Sequence, residues 1–411
     1  MVTVAVLGHG VVGSGVVEVL RQNASSITKR ASQDIKVGHV LDVRDFPDSP
    51  YAELFTKDFN DIVSDPEVSV VAEVIGGINP AYGFVKACLE AGKSVVTSNK
   101  ELVAAKGAEL LKIAAEHDVN FLFEASVGGG IPIIRPLHQC LAANQIDEIA
   151  GILNGTTNFI LTKMIKEGMA FDTALKMAQE LGYAEANPSA DVDGHDACRK
   201  ICILASLAFG SHVYPDNVPT QGITALTPED VRYADDADCV IKLIGRAFPA
   251  ADGKVFAMVS PALLSKSSQL AGIDDVFNGI LVRGNATGDV VFYGKGAGKL
   301  PTASAVVGDI VDCVKAAGTI HSLHWQDSDG SNVAPVGDIA VAAYIRCQGA
   351  NAADLCKAAF GPVQVLGRAG SPADEFAFVT EPMAEKDIEA KLAELAQKGV
   401  EKLAMIRKLD Y

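Results

Sequence analysis

No apolar run in this sequence is long enough to cross a bilayer. Residues 201–210 form an apolar segment of ten residues, about half the length of a membrane-spanning helix. The N-terminus also lacks the basic segment, apolar stretch and cleavage site that mark a secretory leader. We therefore expect a cytoplasmic protein that does not bind membranes.

Positive charge is also scarce. Lys and Arg number 35 against 51 Asp and Glu, which gives a formal net charge of −16. This charge repels the phosphates of nucleic acids and of anionic lipids. Hydrophobic residues make up 49% of the chain and charged residues 21%, as in globular rather than disordered proteins. We expect a small-molecule partner and no nucleic acid.

The cysteines do not form a metal-binding or redox motif. The chain has eight cysteines and none of them belongs to a Cys-x-x-Cys pair. Cys198 and Cys202 are four residues apart, but no second pair follows them, and His195 stands alone. We interpret the cysteines as small buried apolar side chains.

The chain, at 411 residues, is long enough for two or three domains. Residues 1–128 alternate short β-branched segments with helical ones, which predicts an α/β domain with a doubly wound parallel sheet. Residues 129–320 are predicted to form an α+β domain for substrate binding and dimerisation. Its last helix, at about residues 294–318, is expected to return to the first domain. The predicted strands of the first domain are residues 2–7, 36–43, 68–75, 94–97 and 120–124.

The last quarter of the chain has a different organisation. Residues 321–334 are polar and contain an Asp-Gly pair, which is typical of a linker with a turn. Residues 335–411 follow a β-α-β-β-α-β outline with an amphipathic helix at residues 385–397. This outline predicts a C-terminal ferredoxin-like module.

A glycine-rich segment, Gly-His-Gly-Val-Val-Gly, joins the first predicted strand to the first predicted helix. Gly8 permits the tight turn, Gly10 leaves room for a pyrophosphate, and Gly13 lets the helix pack closely on the strand. In this position the pattern predicts a Rossmann-type site for NAD or NADP, although it also occurs as a structural turn. The expected cofactor contacts in this segment are Gly8, His9, Gly10, Val11, Val12 and Gly13.

Two further positions bear on the cofactor. At the end of the second strand, Asp42 favours a free ribose hydroxyl whereas Arg44 favours a 2′-phosphate, so the choice between NAD and NADP stays open. Ser98 and Lys100 follow the fourth predicted strand, at the edge where such sheets bind ligands. A lysine at a helix start is disfavoured by the helix dipole, and this position for Lys100 indicates function rather than simple solvation.

Residues 185–200 place four carboxylates ahead of one lysine, namely Glu185, Asp191, Asp193, Asp196 and Lys200. Asp196 and Lys200 are four residues apart and share one helix face, which continues as an apolar stripe. A lysine beside apolar surface can move a proton, and nearby carboxylates can hold an ammonium group. The segment therefore indicates a dehydrogenase of an amino-acid-like alcohol. The alternatives are an exposed salt bridge in a solvated acidic loop, or a cation site.

Several motifs in one order resemble those of the homoserine dehydrogenase family over nearly the whole chain. They lie at residues 8–13, 97–100, 124–132, 151–159, 182–188, 191–200 and 294–298. The resemblance implies NAD(P)-dependent interconversion of L-homoserine and L-aspartate 4-semialdehyde, on the route to threonine and methionine. We expect a homodimer or homotetramer.

Site residues follow from the resemblance motif by motif. It implies that Lys200 is the catalytic proton-transfer lysine and Lys100 a second lysine near nicotinamide and substrate. It implies that Glu185 holds the substrate amino group, supported by Asp191 and Asp196. It also implies that Gly298 contacts the cofactor. Finally, it implies a structural sodium ion that is bound largely by backbone carbonyls, at Glu124, Val127, Gly129 and Ile131.

The tail resembles an ACT module, with one departure. The loop after its first strand, residues 348–353, has the sequence Gln-Gly-Ala-Asn-Ala-Ala rather than an Asp-x-Pro-Gly pattern. We therefore expect at most weak inhibition by threonine, and a dimerisation or vestigial module is the alternative. Two alternatives to the function as a whole stay open: a dehydrogenase of another amino or hydroxy acid, and a non-enzymatic nucleotide sensor.

Overall fold

The structure is a computed structural model and describes residues 1–316 and 323–411. Residues 317–322 lie outside the described residues. Three predicted boundaries fall there: the end of the returning helix, the end of the second domain and the start of the linker. The chain divides into two compact units. The first comprises Met1–Asp147, Cys202–Asn217 and Arg283–Asn332, and the second Glu148–Ile201, Val218–Val282 and Val333–Tyr411. The predicted domain boundaries stay predictions.

Among the described residues, the first unit contains a parallel sheet of six strands. The strands are β1 (Val2–Leu7), β2 (Ile35–Leu41), β3 (Phe55–Thr56), β4 (Val68–Glu73), β5 (Ser94–Thr97) and β6 (Phe121–Leu122). Their order is β3–β2–β1–β4–β5–β6. From β1 the chain adds β2 and β3 on one side and then β4, β5 and β6 on the other, so the topological switch point lies between β1 and β4. The prediction of a Rossmann-like parallel sheet is therefore confirmed, and ligands are expected at the carboxyl ends of β1 and β4.

Helices connect these strands. They are α1 (Val11–Gln22), α2 (Ala24–Ala31), α3 (Asn60–Val63), α4 (Ala81–Glu90) and α5 (Lys100–Glu116). Helix α1 begins directly after the glycine-rich turn, with Gly10 at its N-cap. A Cβ added at Gly13 would lie 1.9 Å from the carbonyl oxygen of Gly8, so only glycine allows this close packing.

The middle of the chain supplies the elements around the lysine and carboxylates. They are β7 (Ile146–Ile152), α6 (Gly155–Glu167), α7 (Phe171–Glu180), α8 (Ser189–Val192), α9 (His195–Phe209), α10 (Pro228–Asp236), β8 (Cys239–Pro249), β9 (Val255–Ser265), β10 (Phe277–Gly284) and β11 (Gly288–Lys295). Strands β8 and β9 pair antiparallel along their whole length. In the second unit, β7 lies between β10 and β8, and its end leads into the N-terminus of α6.

The helix α11 (Lys299–Lys315) belongs to the first unit, where it packs against α1. A Cβ at Gly15 of α1 would lie 2.9 Å from the carbonyl oxygen of Lys299, so the two helices approach closely. No helix among the described residues is long and apolar enough to cross a membrane. Seven of the eight cysteines are buried as expected, whereas Cys140 is exposed.

The tail forms its own layer of strands and helices within the second unit. The elements are β12 (Ala340–Gln348), α12 (Ala352–Phe360), β13 (Val363–Leu366), β14 (Glu375–Thr380), β15 (Met383–Ala384), α13 (Glu385–Gln397) and β16 (Glu401–Leu409). The strand order is β16–β12–β14–β13, and β16 also pairs parallel with β9. Its apolar core includes Ile345, Phe378, Ile388 and Leu395. Its assignment as an ACT-like module stays a prediction.

The expectation of a linker at residues 321–334 is wrong for its described part. Trp325 is only 6% exposed, and its ring lies over Gly107 of α5. Its indole N–H donates to Nδ1 of His212 at 2.9 Å, while His212 Nε2 contacts the carbonyl oxygen of Ala104 at 2.8 Å. Burial of one large aromatic side chain thus holds this polar segment against α5 within the first unit.

Candidate active site

The glycine-rich turn has the geometry that a pyrophosphate requires. Gly8 has φ +97°, which few other residues adopt. A Cβ placed on Gly10 would meet no atom within 4 Å, so the backbone at the start of α1 faces open space. Helix N-termini with accessible backbone favour anions. The turn therefore fits the phosphates of a dinucleotide.

Asp42 and Arg44, the two residues that left the cofactor choice open, bind each other. Arg44 donates from Nε to Oδ1 and from Nη2 to Oδ2 of Asp42, each at 2.9 Å. The backbone N–H of His9 donates to the same carboxylate at 2.8 Å. The Arg44 side chain holds the pKa of Asp42 well below its usual range, and the backbone N–H groups of Arg44 and His9 add to this effect.

Arg44 is exposed and also donates to the carbonyl oxygen of His9 at 3.1 Å. The ring of His9 lies among Phe46, Tyr51 and Phe55, and its burial lowers its pKa. The end of β2 thus combines one carboxylate, one exposed guanidinium and an aromatic cluster beside the glycine-rich turn.

Ser98 and Lys100 lie where the sequence placed them, at the carboxyl end of β5. Lys100 is the first residue of α5 and is half-buried. The preceding residue, Asn99, caps the helix by accepting the N–H of Leu102 at 3.1 Å. Lys100 thus begins a capped helix at the ligand-binding edge of the sheet.

Lys200 and Asp196 form a buried pair rather than an exposed salt bridge. Lys200 is 7% exposed and Asp196 is 4% exposed. The ammonium Nζ donates to Oδ2 of Asp196 at 2.8 Å and to the carbonyl oxygen of Leu153 at 2.7 Å. Buried charges persist only when they are paired and hydrogen-bonded, so this lysine is held in one orientation.

Asn154 joins the carboxylates and was not predicted as a site residue. Its Nδ2 donates to Oδ1 of Asp191 at 2.7 Å and to Oδ2 of Asp196 at 2.9 Å. Its Oδ1 accepts the N–H of Thr157 at 2.8 Å, which caps α6 and fixes the orientation of the amide. The structure therefore brings Asp191, Asp196 and Lys200 together through this one amide.

Glu185 is not hydrogen-bonded to this cluster in the part of the chain that the structure describes. It is exposed in the loop after α7, and its backbone carbonyl accepts Nε2 of Gln179 at 3.1 Å. Across residues 1–316 and 323–411 we find no hydrogen bond or ion pair to its carboxylate. The carboxylate is therefore available to a ligand but is not bonded to the lysine.

The loop suggested for sodium is closed by a buried carboxylate. Glu124 is 3% exposed and accepts the backbone N–H groups of three successive residues, Ile133, Ile134 and Arg135, at 2.6–2.8 Å. The carbonyl of Gly128 accepts the N–H of Ile131 at 2.9 Å. These bonds use neither the carbonyl of Val127 nor those of Gly129 and Ile131.

Glycines allow the segment after β11 to approach this loop closely. A Cβ at Gly129, with φ +57°, would lie 2.3 Å from the carbonyl oxygen of Gly296. Gly298 has φ +126° and forms the N-cap of α11. Among the described residues, no cluster of three or more His, Cys, Asp or Glu side chains could hold a metal ion. Any cation here would rely on backbone oxygens.

Comparison with known proteins identifies the family. A family model described as homoserine dehydrogenase matches residues 132–311, and one for the NAD-binding domain of homoserine dehydrogenase matches residues 8–124. Homoserine dehydrogenase of Synechocystis sp. is 46% identical over 318 residues, which cover 76% of this chain and 73% of that protein.

One solved structure matches the chain over its whole length. A homoserine dehydrogenase from Thiobacillus denitrificans superposes with a TM-score of 0.91 at 38% identity, over 100% of this chain and 98% of that one. A hyperthermophilic archaeal homoserine dehydrogenase in complex with NADPH has a TM-score of 0.65 at 28% identity, over 76% of this chain and 97% of that one. The chain therefore belongs to the homoserine dehydrogenase family of NAD(P)-dependent oxidoreductases.

Proposed function

We propose that Lys200 moves the proton when this homoserine dehydrogenase interconverts L-homoserine and L-aspartate 4-semialdehyde. The observation that supports this role is its burial together with two fixed acceptors, Leu153 O and Asp196 Oδ2. These two hydrogen bonds hold the ammonium group of Lys200 in a defined position and orientation. A solvated surface lysine would have no such constraint.

The proton step follows from the charge of Lys200. In the reducing direction its ammonium donates a proton to the aldehyde oxygen, which becomes the hydroxyl of homoserine. In the oxidising direction its neutral amine accepts the hydroxyl proton. Bound NAD(P) supplies the hydride in one direction and accepts it in the other. Asp196 stabilises the ammonium form of Lys200, which is the form that donates the proton in the reducing direction.

The carboxylates are proposed to bind the substrate amino group. Asp191 and Asp196 are oriented by one amide, that of Asn154. Glu185 offers an exposed carboxylate on the adjoining loop. A substrate ammonium beside these groups would form charge-assisted hydrogen bonds, which are about twice as strong as neutral ones. Lys100, at the carboxyl end of β5, is proposed as the second catalytic lysine.

The cofactor is proposed to lie along residues 8–13, with Ser98 and Gly298 as further contacts. Arg44 could serve either cofactor, because a 2′-phosphate would compete with Asp42 for its guanidinium. We therefore propose NADP or NAD, and parallel assays with NADPH and NADH decide between them.

A sodium ion is proposed to have a structural role. The carbonyls of Val127, Gly129 and Ile131, with Glu124, offer the oxygen ligands that hard cations prefer. The support is the closed loop itself. The Glu124 carboxylate accepts three backbone N–H groups and so holds the loop backbone, and these bonds do not use the carbonyls of Val127, Gly129 and Ile131. No proton or hydride step passes through this ion.

We also propose the biological setting that the family resemblance implies. The enzyme would act as a cytoplasmic homo-oligomer on the route to threonine and methionine. Its tail would be an ACT-like module, with β12 followed by a loop in which Gly349 has φ +159° and Asn351 has φ +59°. At most weak inhibition by threonine is expected, and strong inhibition at micromolar threonine would overturn that expectation.

The central test compares Lys200→Ala with Lys176→Ala. Lys176 is a matched control on helix α7, and its side chain is 78% exposed. Oxidation of NADPH or NADH with aspartate semialdehyde should fall by about 10²–10⁴-fold in Lys200→Ala and stay normal in the control. Circular dichroism should show both variants folded. Normal turnover by folded Lys200→Ala would refute the assigned role.

The wild-type assay also separates the alternative functions. A clear preference for another amino or hydroxy acid in a substrate panel would point to a different dehydrogenase. Tight cofactor binding without turnover of any candidate would point to a nucleotide sensor.

A further inference from the structure

A fully buried carboxylate, Glu73, ends strand β4 at the ligand-binding edge of the parallel sheet. It is 0% exposed. Its Oε1 accepts the backbone N–H of Ile75 at 2.8 Å and that of Gly76 at 3.4 Å. Its Oε2 accepts the hydroxyl of Thr97 at 2.6 Å. Burial raises the pKa of Glu73, and these hydrogen bonds oppose the shift.

On one side, Glu73 controls the loop after β5. The hydroxyl of Thr97 donates to Glu73 and accepts the backbone N–H of Asn99 at 2.9 Å. Asn99 in turn donates from Nδ2 to the carbonyl oxygen of Gly77 at 2.6 Å and caps α5. A continuous chain of hydrogen bonds therefore runs from the carboxylate to the helix turn that begins with Lys100.

On the other side, Glu73 controls the loop after β4. A Cβ placed on Gly8 would lie 3.2 Å from the carbonyl oxygen of Val74 and 3.3 Å from the Cα of Ile75. This loop therefore borders the glycine-rich turn. Gly76 and Gly77, which follow, have φ +87° and +71°, and a Cβ on either would meet nothing within 4 Å. The backbone that Glu73 holds thus faces open space next to the proposed pyrophosphate site.

We propose that Glu73 is a positioning residue for the nicotinamide cofactor, acting through Thr97 and through the backbone at residues 75–76. It fixes the loops after β4 and β5 before the cofactor binds, so that neither loop has to be ordered during binding. This inference rests on the proposed cofactor site. A purely structural role would stabilise the strand ends and leave cofactor affinity unchanged.

The test uses three substitutions along this chain of hydrogen bonds. Thr97→Val removes the hydroxyl, so that Glu73 loses a donor and Asn99 loses an acceptor. Thr97→Ser keeps the hydroxyl and serves as the conservative rescue. Glu73→Gln replaces an accepting oxygen with an amide donor, so that either the Thr97 hydroxyl or the backbone N–H groups of residues 75–76 lose their acceptor. Glu385→Gln, a buried glutamate in the tail, is the matched control.

The measurements are the Kd of NADPH and NADH from nicotinamide fluorescence, kcat and KM for aspartate semialdehyde, and the Tm. Glu73→Gln and Thr97→Val should each raise the cofactor Kd about tenfold and lower kcat. The KM for aspartate semialdehyde should change less than twofold. Thr97→Ser and Glu385→Gln should bind cofactor like the wild type.

A lower Tm for Thr97→Val with wild-type cofactor Kd and kcat would overturn the proposal, as would an equal loss of affinity in Thr97→Ser. If Glu73→Gln does not fold, the Thr97 pair decides the question alone. Wild-type protein that binds cofactor but does not turn over aspartate semialdehyde would defeat the assigned reaction. The Kd comparison would still decide the role of Glu73.

Discussion

Asn154 offers a way to separate helix capping from the organisation of the active-site carboxylates. Asn154→Ser keeps a good N-cap residue for α6 but removes the amide donor to Asp191 and Asp196. Asn154→Asp also keeps the cap, and it puts a third carboxylate where the donor was. Both variants therefore hold the helix while they change the carboxylate cluster.

The magnitude follows from two charge-assisted hydrogen bonds, at 2.7 and 2.9 Å, from the Asn154 amide. A hydrogen bond to a charged group contributes about 1.5–3 kcal/mol. Asp191 is only half-buried and regains water after the substitution, whereas Asp196 is 4% exposed and does not. We therefore expect Asn154→Ser to lower the free energy of unfolding by about 2–3 kcal/mol.

The effect on catalysis should exceed the effect on folding. Without the amide, Asp191 and Asp196 repel each other and lose their fixed orientation beside Lys200. We expect kcat to fall and the KM for aspartate semialdehyde to rise in Asn154→Ser. Asn154→Asp should be less active still and should recover partly as pH falls, because a proton relieves the three-carboxylate cluster.

The assay pairs steady-state kinetics with urea denaturation of the same preparations. If Asn154→Ser retains the wild-type kcat and KM, the bridging amide does not organise the site and our reasoning fails. If Asn154→Asp shows no recovery between pH 8 and pH 6, the carboxylates are not electrostatically coupled.

Three further perturbations test other parts of the structure. Gly10→Ala adds a Cβ that meets no protein atom within 4 Å, so the Tm should hold while the cofactor Kd rises, as fluorescence titration can show. Arg346→Met leaves the buried carboxylate of Asp230 without its arginine, whereas Glu375 keeps Arg368, and urea denaturation should show a loss of about 3–5 kcal/mol with kcat unchanged. His212 accepts an indole N–H, and burial lowers its pKa from 6.5, so the folded state excludes a proton that the unfolded chain binds. Its stabilisation is present above about pH 6.5 and is lost as pH falls through the lowered folded pKa, so the Tm should drop from pH 7.5 to 5.5, and less so in His212→Gln.

The parallel sheet was predictable because its signals are local. Strands β1, β4 and β5 are short runs of β-branched apolar residues, and a glycine pattern follows β1 directly. Strand β3 has only two residues, Phe55–Thr56, which is too short for any periodicity to show. Helix α2 was missed as well, since only Ile27 and Ala31 of its residues are buried. Elements held by little apolar surface leave little trace in a sequence.

The site was predictable only where its residues are close in sequence. The spacing of Asp196 and Lys200 gave their pairing, and the apolar stripe behind them indicated burial. Asn154 is 37 residues from Asp191 and 42 from Asp196, so no spacing rule connects them. Glu73 did carry a signal, since a glutamate that ends an apolar buried strand needs hydrogen-bond donors, but the donors on the loop after β5 could not be inferred.

The error at residues 323–334 shows how one side chain can outweigh a composition. Most residues of that segment are polar, and this overall composition predicted a linker. Burial of a tryptophan removes about 150–250 Å² from water, worth about 4–6 kcal/mol at 25 cal/mol per Å². The contact also explains Gly107, which costs about 1 kcal/mol inside a helix, because a Cβ there would lie 2.5 Å from the Trp325 ring. The only tryptophan of the chain thus packs where a glycine in the middle of a long helix leaves room for its ring. The role of each residue becomes clear only from their contact.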